Sequence, residues 1–460
     1  METKRAVILD GTRVESEDSR ILSMIETTLA ESGFEPTTFS LRRMKIAHCI
    51  GCFGCWLETP GICRENDAGR EVVRAVAASD TVVLVTPVTY GGYSSELKKA
   101  LERWVPLELP YFQERCGEIH HQPRYSRHPR LVVIGLQSEP NQEEARLFKI
   151  IAGRNALNLH TSHAAEIVNP DDDPAQLRTI IRDLLTRNDP VTYGPQLNAL
   201  IGHPESMPLP ENERHRALVI VGSPKTLSPS SSAVFGGFIG ELLMQRGWEV
   251  ETLKLNAGLK RRAWQSEFLS AVDRADLLVL AFPLYVDSLP HLVTKALELI
   301  DAHRSVAECR RPQRLLAISN NGFIEPHQNA TALAICRNFA LRSGITWAGG
   351  LAIGAGEALS SGAPLTGSGR SGRPPVNHVI KALTLTADAL AKGLPVPNQA
   401  VALAARDPIP FIPNRLWRWI YVKGGTRSWQ KRAASNGVSI EAILAKPYEV
   451  TQTVRLEAGT

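Results

Sequence analysis

The residues best equipped for chemistry in this 460-residue chain are four cysteines, Cys49, Cys52, Cys55 and Cys63, spaced C-x2-C-x2-C-x7-C. They are four of the seven cysteines in the chain. Such clustering in a reducing compartment points to metal or redox chemistry, not to disulfides. Structural zinc usually draws on two separated ligand pairs, whereas closely repeated thiolates let one loop wrap the corners of an iron-sulfur cubane. Zinc, or no metal at all, stays open as the alternative. Cys116, Cys309 and Cys336 stand alone and read as small buried hydrophobes.

A second group follows the apolar run ending at Val221: Gly222, Ser223, Pro224 and Lys225, then Ser228, Ser230, Ser231 and Ser232. Hydroxyls and free backbone amides there converge on a predicted helix N-terminus, which makes an anion site. At the carboxyl end of the first strand of a doubly wound sheet, the expected ligand is a phosphorylated cofactor. A third group is His120, His121, Arg124, Tyr125 and His128. Histidine moves protons near neutral pH, so His121 and Tyr125 are the candidate catalytic residues, against the plainer reading of a solvated loop. Gly367 to Gly372 spell G-x-G-x-x-G, but no strand precedes them and Pro374 and Pro375 follow, so the dinucleotide reading fails. With Gly354 to Pro364 they read as a Gly/Ser loop able to close over a site.

The elements that must position these groups are repeated. RAVILDGT from Arg5 matches RALVIVGS from Arg216; the segment from Ser79 matches that from Ala275; the segment from Arg130 matches that from Arg314. The offset falls from 211 to 196 to 184, so the first copy carries extra residues around the cysteines and around the histidines. Each block is an apolar Val/Ile/Leu run, a turn and an amphipathic stretch, the pattern of a buried parallel strand and its crossover helix. The expected fold is therefore α/β, two tandem flavodoxin-like domains, each a doubly wound five-stranded parallel sheet. Strands are predicted near 5–10, 36–40, 81–86, 130–136 and 161–168, then 216–222, 249–255, 276–282, 314–319 and 345–353. The expected domains are 1–187 with the cysteine loop, a Pro-rich linker at 188–215, 216–400, and a basic, aromatic tail at 401–460.

The second copy resembles the flavodoxin-like NAD(P)H-dependent FMN reductases in three loops: GSPKTLSPSSS, PLYVDSLP and SNNGF. That resemblance implies an FMN phosphate on Ser223, Lys225, Ser230, Ser231 and Ser232. It implies an isoalloxazine ring between Pro283, Leu284, Tyr285, Val286 and Asp287 on one side and Asn320, Asn321, Gly322 and Phe323 on the other. The first copy has DGTRVESEDSR instead, and Glu15, Glu17 and Asp18 would repel a phosphate. The cysteine spacing resembles that of the iron-sulfur flavoproteins, which implies a [4Fe-4S] cluster on Cys49, Cys52, Cys55 and Cys63. The implied function is a flavin-dependent oxidoreductase. FMN would accept hydride from NAD(P)H, the cluster would relay electrons, and an internal pseudo-dimer would set the cysteine loop against the flavin. Alternatives are a plain FMN or quinone reductase with zinc or no metal, and a non-catalytic electron carrier.

The resemblance implies small-molecule electron donors and acceptors as partners, and bulk composition argues against others. A net charge of +5 over 460 residues is too dispersed for a nucleic-acid protein. No apolar run approaches the roughly 18 residues of a membrane span, and the N-terminus leads into a strand, so the expected location is the cytoplasm. Arg415, Arg418, Lys423, Arg427, Lys431 and Arg432 form one acid-free basic run, interleaved with Trp417, Trp419, Tyr421 and Trp429. It reads as a tail that packs its aromatics and leaves its charges in water, with an anionic surface as the other possibility.

Overall fold

The computed structural model describes residues 3–12, 15–209, 214–226, 229–306, 311–367, 374–407, 409 and 413–449. Ser228, Cys309 and Ser368 to Gly372 lie outside the described residues.

All ten expected strands form; the central ones are short apolar runs that a parallel sheet buries on both faces, whereas the edge strands at 34–40 (FEPTTFS) and 249–254 (EVETLK) are mixed in polarity and largely exposed or half-buried. In the first half β1 (Lys4–Asp10), β2 (Phe34–Ser40), β3 (Thr81–Pro87), β6 (Arg130–Leu136) and β7 (His163–Val168) are ordered β2-β1-β3-β6-β7. In the second half β8 (Arg216–Val221), β9 (Glu249–Lys254), β10 (Leu277–Pro283), β11 (Arg314–Asn320) and β12 (Thr346–Ile353) repeat that order, β9-β8-β10-β11-β12. Every neighbour pair within both sheets is parallel. This is the flavodoxin-like strand order, twice.

The remaining strands are an insertion of the first half that the sequence reading left as a histidine loop. β4 (Glu108–Arg115) and β5 (Glu118–Pro123) pair as an antiparallel hairpin, Phe112 opposite His121 and Arg115 opposite Glu118. Cys116 and Gly117 make its turn, both with positive φ, at 51° and 74°. Cys116 is consequently exposed and not the buried hydrophobe expected, whereas Cys336 is buried.

Alternation along the strands joins the halves. Val7 and Leu9 of β1 and Leu218 and Ile220 of β8 belong to one shared apolar cluster. Ala6 and Ile8 face the outer layer of the first half, and Ala217, Val219 and Val221 that of the second. The shared interior is closed by helix Ser95–Leu101 against its counterpart His291–Val306, and by Gln142–Asn158 against Ala330–Arg342. The contact is reciprocal. Glu298 accepts from the N–H and hydroxyl of Ser95 (2.9 and 2.8 Å), and Glu102 accepts from the N–H of His291 (2.6 Å). Each half thus supplies the carboxylate that caps the other's helix.

The segment between the sheets is packed, not loose. Leu197 of its 3-10 turn Pro195–Ile201 is fully buried, and the N–H of Glu205 donates to Trp347 O at 2.8 Å. The expected tail folds mainly as helix Asn414–Ser435, burying Trp417 and Trp429.

Candidate active site

The serine loop leaves β8 at Gly222, where any Cβ would run into Val293 and Phe282. Glycine is needed there for close packing and not for a special φ. Ser230 caps helix Ser231–Met244 by accepting from the N–H of Ala233 (3.2 Å), and Ser223, buried, and Lys225, half-buried, stand earlier on the same loop. Two of the expected phosphate hydroxyls also bond within the protein, although Ser232, as an acceptor there, keeps its O–H to donate. Ser231 Oγ donates to Gly356 O (2.9 Å), and Ser232 Oγ accepts from Asn320 Nδ2 (2.8 Å). These bonds stitch the serine loop to the end of β11 and to the turn at Gly356, a packed turn with Leu359 buried.

At the corresponding strand end of the first half stands a buried carboxylate, Asp10. Asp10 accepts from the Thr12 N–H (3.0 Å), from Ser40 Oγ (2.9 Å) and from Arg42 (2.7 Å), and it is fully buried. Sequence reasoning expected Glu15, Glu17 and Asp18 to repel a phosphate here. They open helix Glu15–Glu31, and Asp10 occupies the end of β1.

The loop after β10 makes a two-residue turn, Tyr285 and Ser288 exchanging backbone hydrogen bonds (3.0 and 3.2 Å) around Val286 and Asp287. Val286 has φ 52° and Asp287 φ 49°. A β-branched residue in the left-handed region is strained and persists only where its surroundings over-determine it. Most of those surroundings come from the first half. Lys98 Nζ donates to Tyr285 O (2.6 Å), and Asn155 Nδ2 to Val286 O (3.2 Å). The Asp287 carboxylate accepts from Arg154 (3.0 and 2.9 Å) and from Asn158. Asp287 thus faces the domain boundary.

Arg154 also pairs with Glu118, which accepts from His120 (3.2 Å), His327 (2.8 Å) and the N–H of Gly194 (2.7 Å). Burial alone would raise the Glu118 carboxyl; the two histidines, Arg154 and the Gly194 amide outweigh it and hold it well below the usual range. Lys98 is buried beside Glu102 at 3.9 Å; burial pushes the amine down to about 8 and the carboxyl up to about 7. Sequence reasoning missed Lys98, Glu102, Glu118 and Arg154. The one available signal was a charged pair at i, i+4 within a helix that the repeat pattern marks as buried.

The loop after β11 meets the inserted hairpin. Phe323 packs on Phe112 (5.5 Å), His121 (5.3 Å) and His120 (6.2 Å), and Gly322 O accepts from the hydroxyl of Tyr421 in helix Asn414–Ser435. His121 bonds Leu109 O through Nδ1 (2.9 Å) and touches Trp56 (4.7 Å); burial pushes it down to about 4, so it is neutral at pH 7. Tyr125 is turned elsewhere, its hydroxyl accepting from the N–H of Tyr448 (3.2 Å).

The cysteine loop lies against the second half. A Cβ at Gly51 would strike the Tyr285 hydroxyl and come within 3.9 Å of the Lys225 Cε. On its other side Trp56 donates to Glu108 O (2.8 Å) and packs on Phe53 and Trp429, both at 5.1 Å. Burial pushes the Cys49 thiol up to about 12 and Cys55 well above its usual value, and neighbouring cysteines add to both shifts. The donor chemistry suits a soft metal or cluster, which would displace the thiol protons. Among the described residues, however, no three His, Cys, Asp or Glu side chains converge as a metal-ligand set.

Comparison with known proteins places this geometry. Residues 3–116 match the NADPH-dependent FMN reductase family. Over part of its first half the chain is similar to those reductases and to the iron-sulfur flavoproteins, and its two five-stranded parallel sheets fit two tandem flavodoxin-like domains. It is 32% identical to an iron-sulfur flavoprotein of Archaeoglobus fulgidus over 103 residues, 22% of this chain and 46% of that one. An iron-sulfur flavoprotein of Methanocaldococcus jannaschii is 34% identical over 83 residues, 18% of this chain and 42% of its own. The chain thus spans about half the length of the curated relatives it matches. Among solved structures, an NAD(P)H:quinone oxidoreductase from Methanothermobacter marburgensis aligns at 15% identity, covering 41% of this chain and all of its own, with a TM-score of 0.31.

Proposed function

We propose that this chain is a flavin-dependent oxidoreductase that takes reducing equivalents from NAD(P)H and hands them to a small-molecule acceptor, working as an internal pseudo-dimer. The observation that carries the reading is the meeting of Gly51, between Cys49 and Cys52, with Tyr285 and Lys225 of the other half. The family match falls on the half with the cysteines, and the serine loop with its capped helix N-terminus falls on the other. That division supports one composite site.

Ser223, Lys225 and the amides at the start of helix Ser231–Met244 would hold the FMN phosphate, with Ser230 fixing the helix start. Ser231 would act by holding the loop in shape, since its hydroxyl donates to Gly356 O, and Ser232, which accepts from Asn320, would still have its O–H to donate to the phosphate. The turns Pro283–Asp287 and Asn320–Phe323 would flank the ring, and Phe323, Phe112 and His121 would keep water from it. FMN supplies hydride acceptance and electron release when bound. Cys49, Cys52, Cys55 and Cys63 would hold the [4Fe-4S] cluster. A plain reductase with zinc or no metal is the second reading.

The test is a visible spectrum of protein purified without oxygen, followed by addition of NADPH or NADH. Flavin bands that bleach on addition, over a broad cluster absorption, are expected. Protein that neither retains nor rebinds FMN would overturn the reading.

A further inference from the structure

Helix Asn414–Ser435 has two faces, and the candidate site uses one. Trp417, Trp429 and Ala433 are buried on the inner side. There Arg418 pairs with Glu325 and Glu114, and Arg432 with Glu357. The outward arc carries Arg415, Trp419, Lys423, Arg427 and Lys431 at four-residue steps, with Leu416 and Ile420 between them. Trp419 is 60% exposed, Leu416 48% and Ile420 38%. Among the described residues none of the four outward cations is paired with an acid.

We propose that this outward face docks the protein on an anionic lipid surface. Three observations favour a bilayer over an acidic protein. The cations Lys423, Arg427 and Lys431 lie within about 80° of arc on the exposed side, a face that can meet a planar array of headgroups. The exposed apolar residues gather in the first two turns of the same arc, so one end can enter the headgroup boundary while the cations remain in water. Trp419 is amphipathic, apolar in body with one N–H to bond, the side chain that belongs at such a boundary. No helix among the described residues is long and apolar enough to cross a membrane, so the contact is peripheral.

The inference stands apart from the flavin reading, although it has a consequence for it. Tyr421, on the inner side of the same helix, bonds Gly322 O, so docking sets the Asn320–Phe323 loop close to the lipid surface.

The experiment is co-flotation of the full chain with vesicles of phosphatidylcholine alone or with about one-third phosphatidylglycerol. Binding to the anionic vesicles only is expected, weakened by added salt. Lys423→Glu with Arg427→Glu should lower it by about tenfold or more, and Trp419→Ser should lower it separately. Both variants should melt like the parent, because these side chains are exposed. No co-flotation at low salt, or binding indifferent to the charge reversals, would overturn the proposal. So would equal binding to soluble polyglutamate with no effect of Trp419→Ser, which would assign the face to an acidic protein.

Discussion

Arg154 is the side chain whose removal should do most damage at the boundary between the halves. It is fully buried, comes from the first half, and binds Asp287 of the second through two N–H groups while pairing with Glu118 of its own. Arg154→Met keeps the volume of the stem but leaves two buried carboxylates short of their counter-charge. Breaking such a pair from one side costs about 3–5 kcal/mol. Asp287 retains Asn158, and Glu118 retains His120, His327 and the Gly194 amide, so the lower end, about 3 kcal/mol, is expected. Urea unfolding at pH 7 measures it, and the double variant Arg154→Met/Asp287→Asn should recover about 2 kcal/mol, because the stranded charge is gone.

The pH dependence follows from the direction of the Glu118 shift. Its folded carboxyl sits below the unfolded value of 4.5, so its contribution is present above that pH and lost as pH falls. In Arg154→Met the folded value moves back up, and the loss on acidification should shrink. Additive single and double variants, or a cost under about 1 kcal/mol, would refute the account of a coupled boundary network.

Other outcomes are equally specific. FMN should bind at about one per chain: Ser223→Asp should abolish retention by placing like charge at the phosphate, whereas Arg42→Met in the first half should lower stability and leave flavin content unchanged. Flavin loss from Arg42→Met at a temperature where it stays folded would reverse that assignment. Cys63→Ser should remove the broad visible absorption of anaerobic protein and leave the flavin bands, while stoichiometric zinc in the parent would replace the cluster reading. Since burial pushes His121 down to about 4, any rate inflection between pH 6 and 7 should survive His121→Asn; its disappearance would show that His121 titrates there after all.

The central strands were legible because they are apolar along most of their length, a signal that needs no knowledge of the partner, and the polar edge strands Phe34–Ser40 and Glu249–Lys254 were legible from their place in the β/α alternation of the repeat. The hairpin was not, since Glu108–Arg115 mixes charges and aromatics and gains its buried face only by folding over Phe323. Its Cys116-Gly117 turn was the available cue. The serine loop was legible by composition and position, but the fate of the Ser231 and Ser232 hydroxyls was not, because Gly356 and Asn320 lie about a hundred residues away. Asp10 shows the same limit. It is buried with Arg42 as its counter-charge, a residue that sequence gives no reason to pair with it.

The strained turn at Val286 and Asp287 carries a consequence for how such a chain can change over generations. Its shape is dictated largely by Lys98, Arg154, Asn155 and Asn158, all in the first half. In the repeat, Lys98 stands where the second half has Thr294, while Asn338 of the second half donates to Tyr90 O of the matching turn (3.1 Å), so the support runs both ways through different residues. Once duplicated, a copy can become a mould for its twin. The mould then inherits the intolerance to substitution that normally belongs to the binding copy, and drift should be slowest in residues that touch no ligand at all.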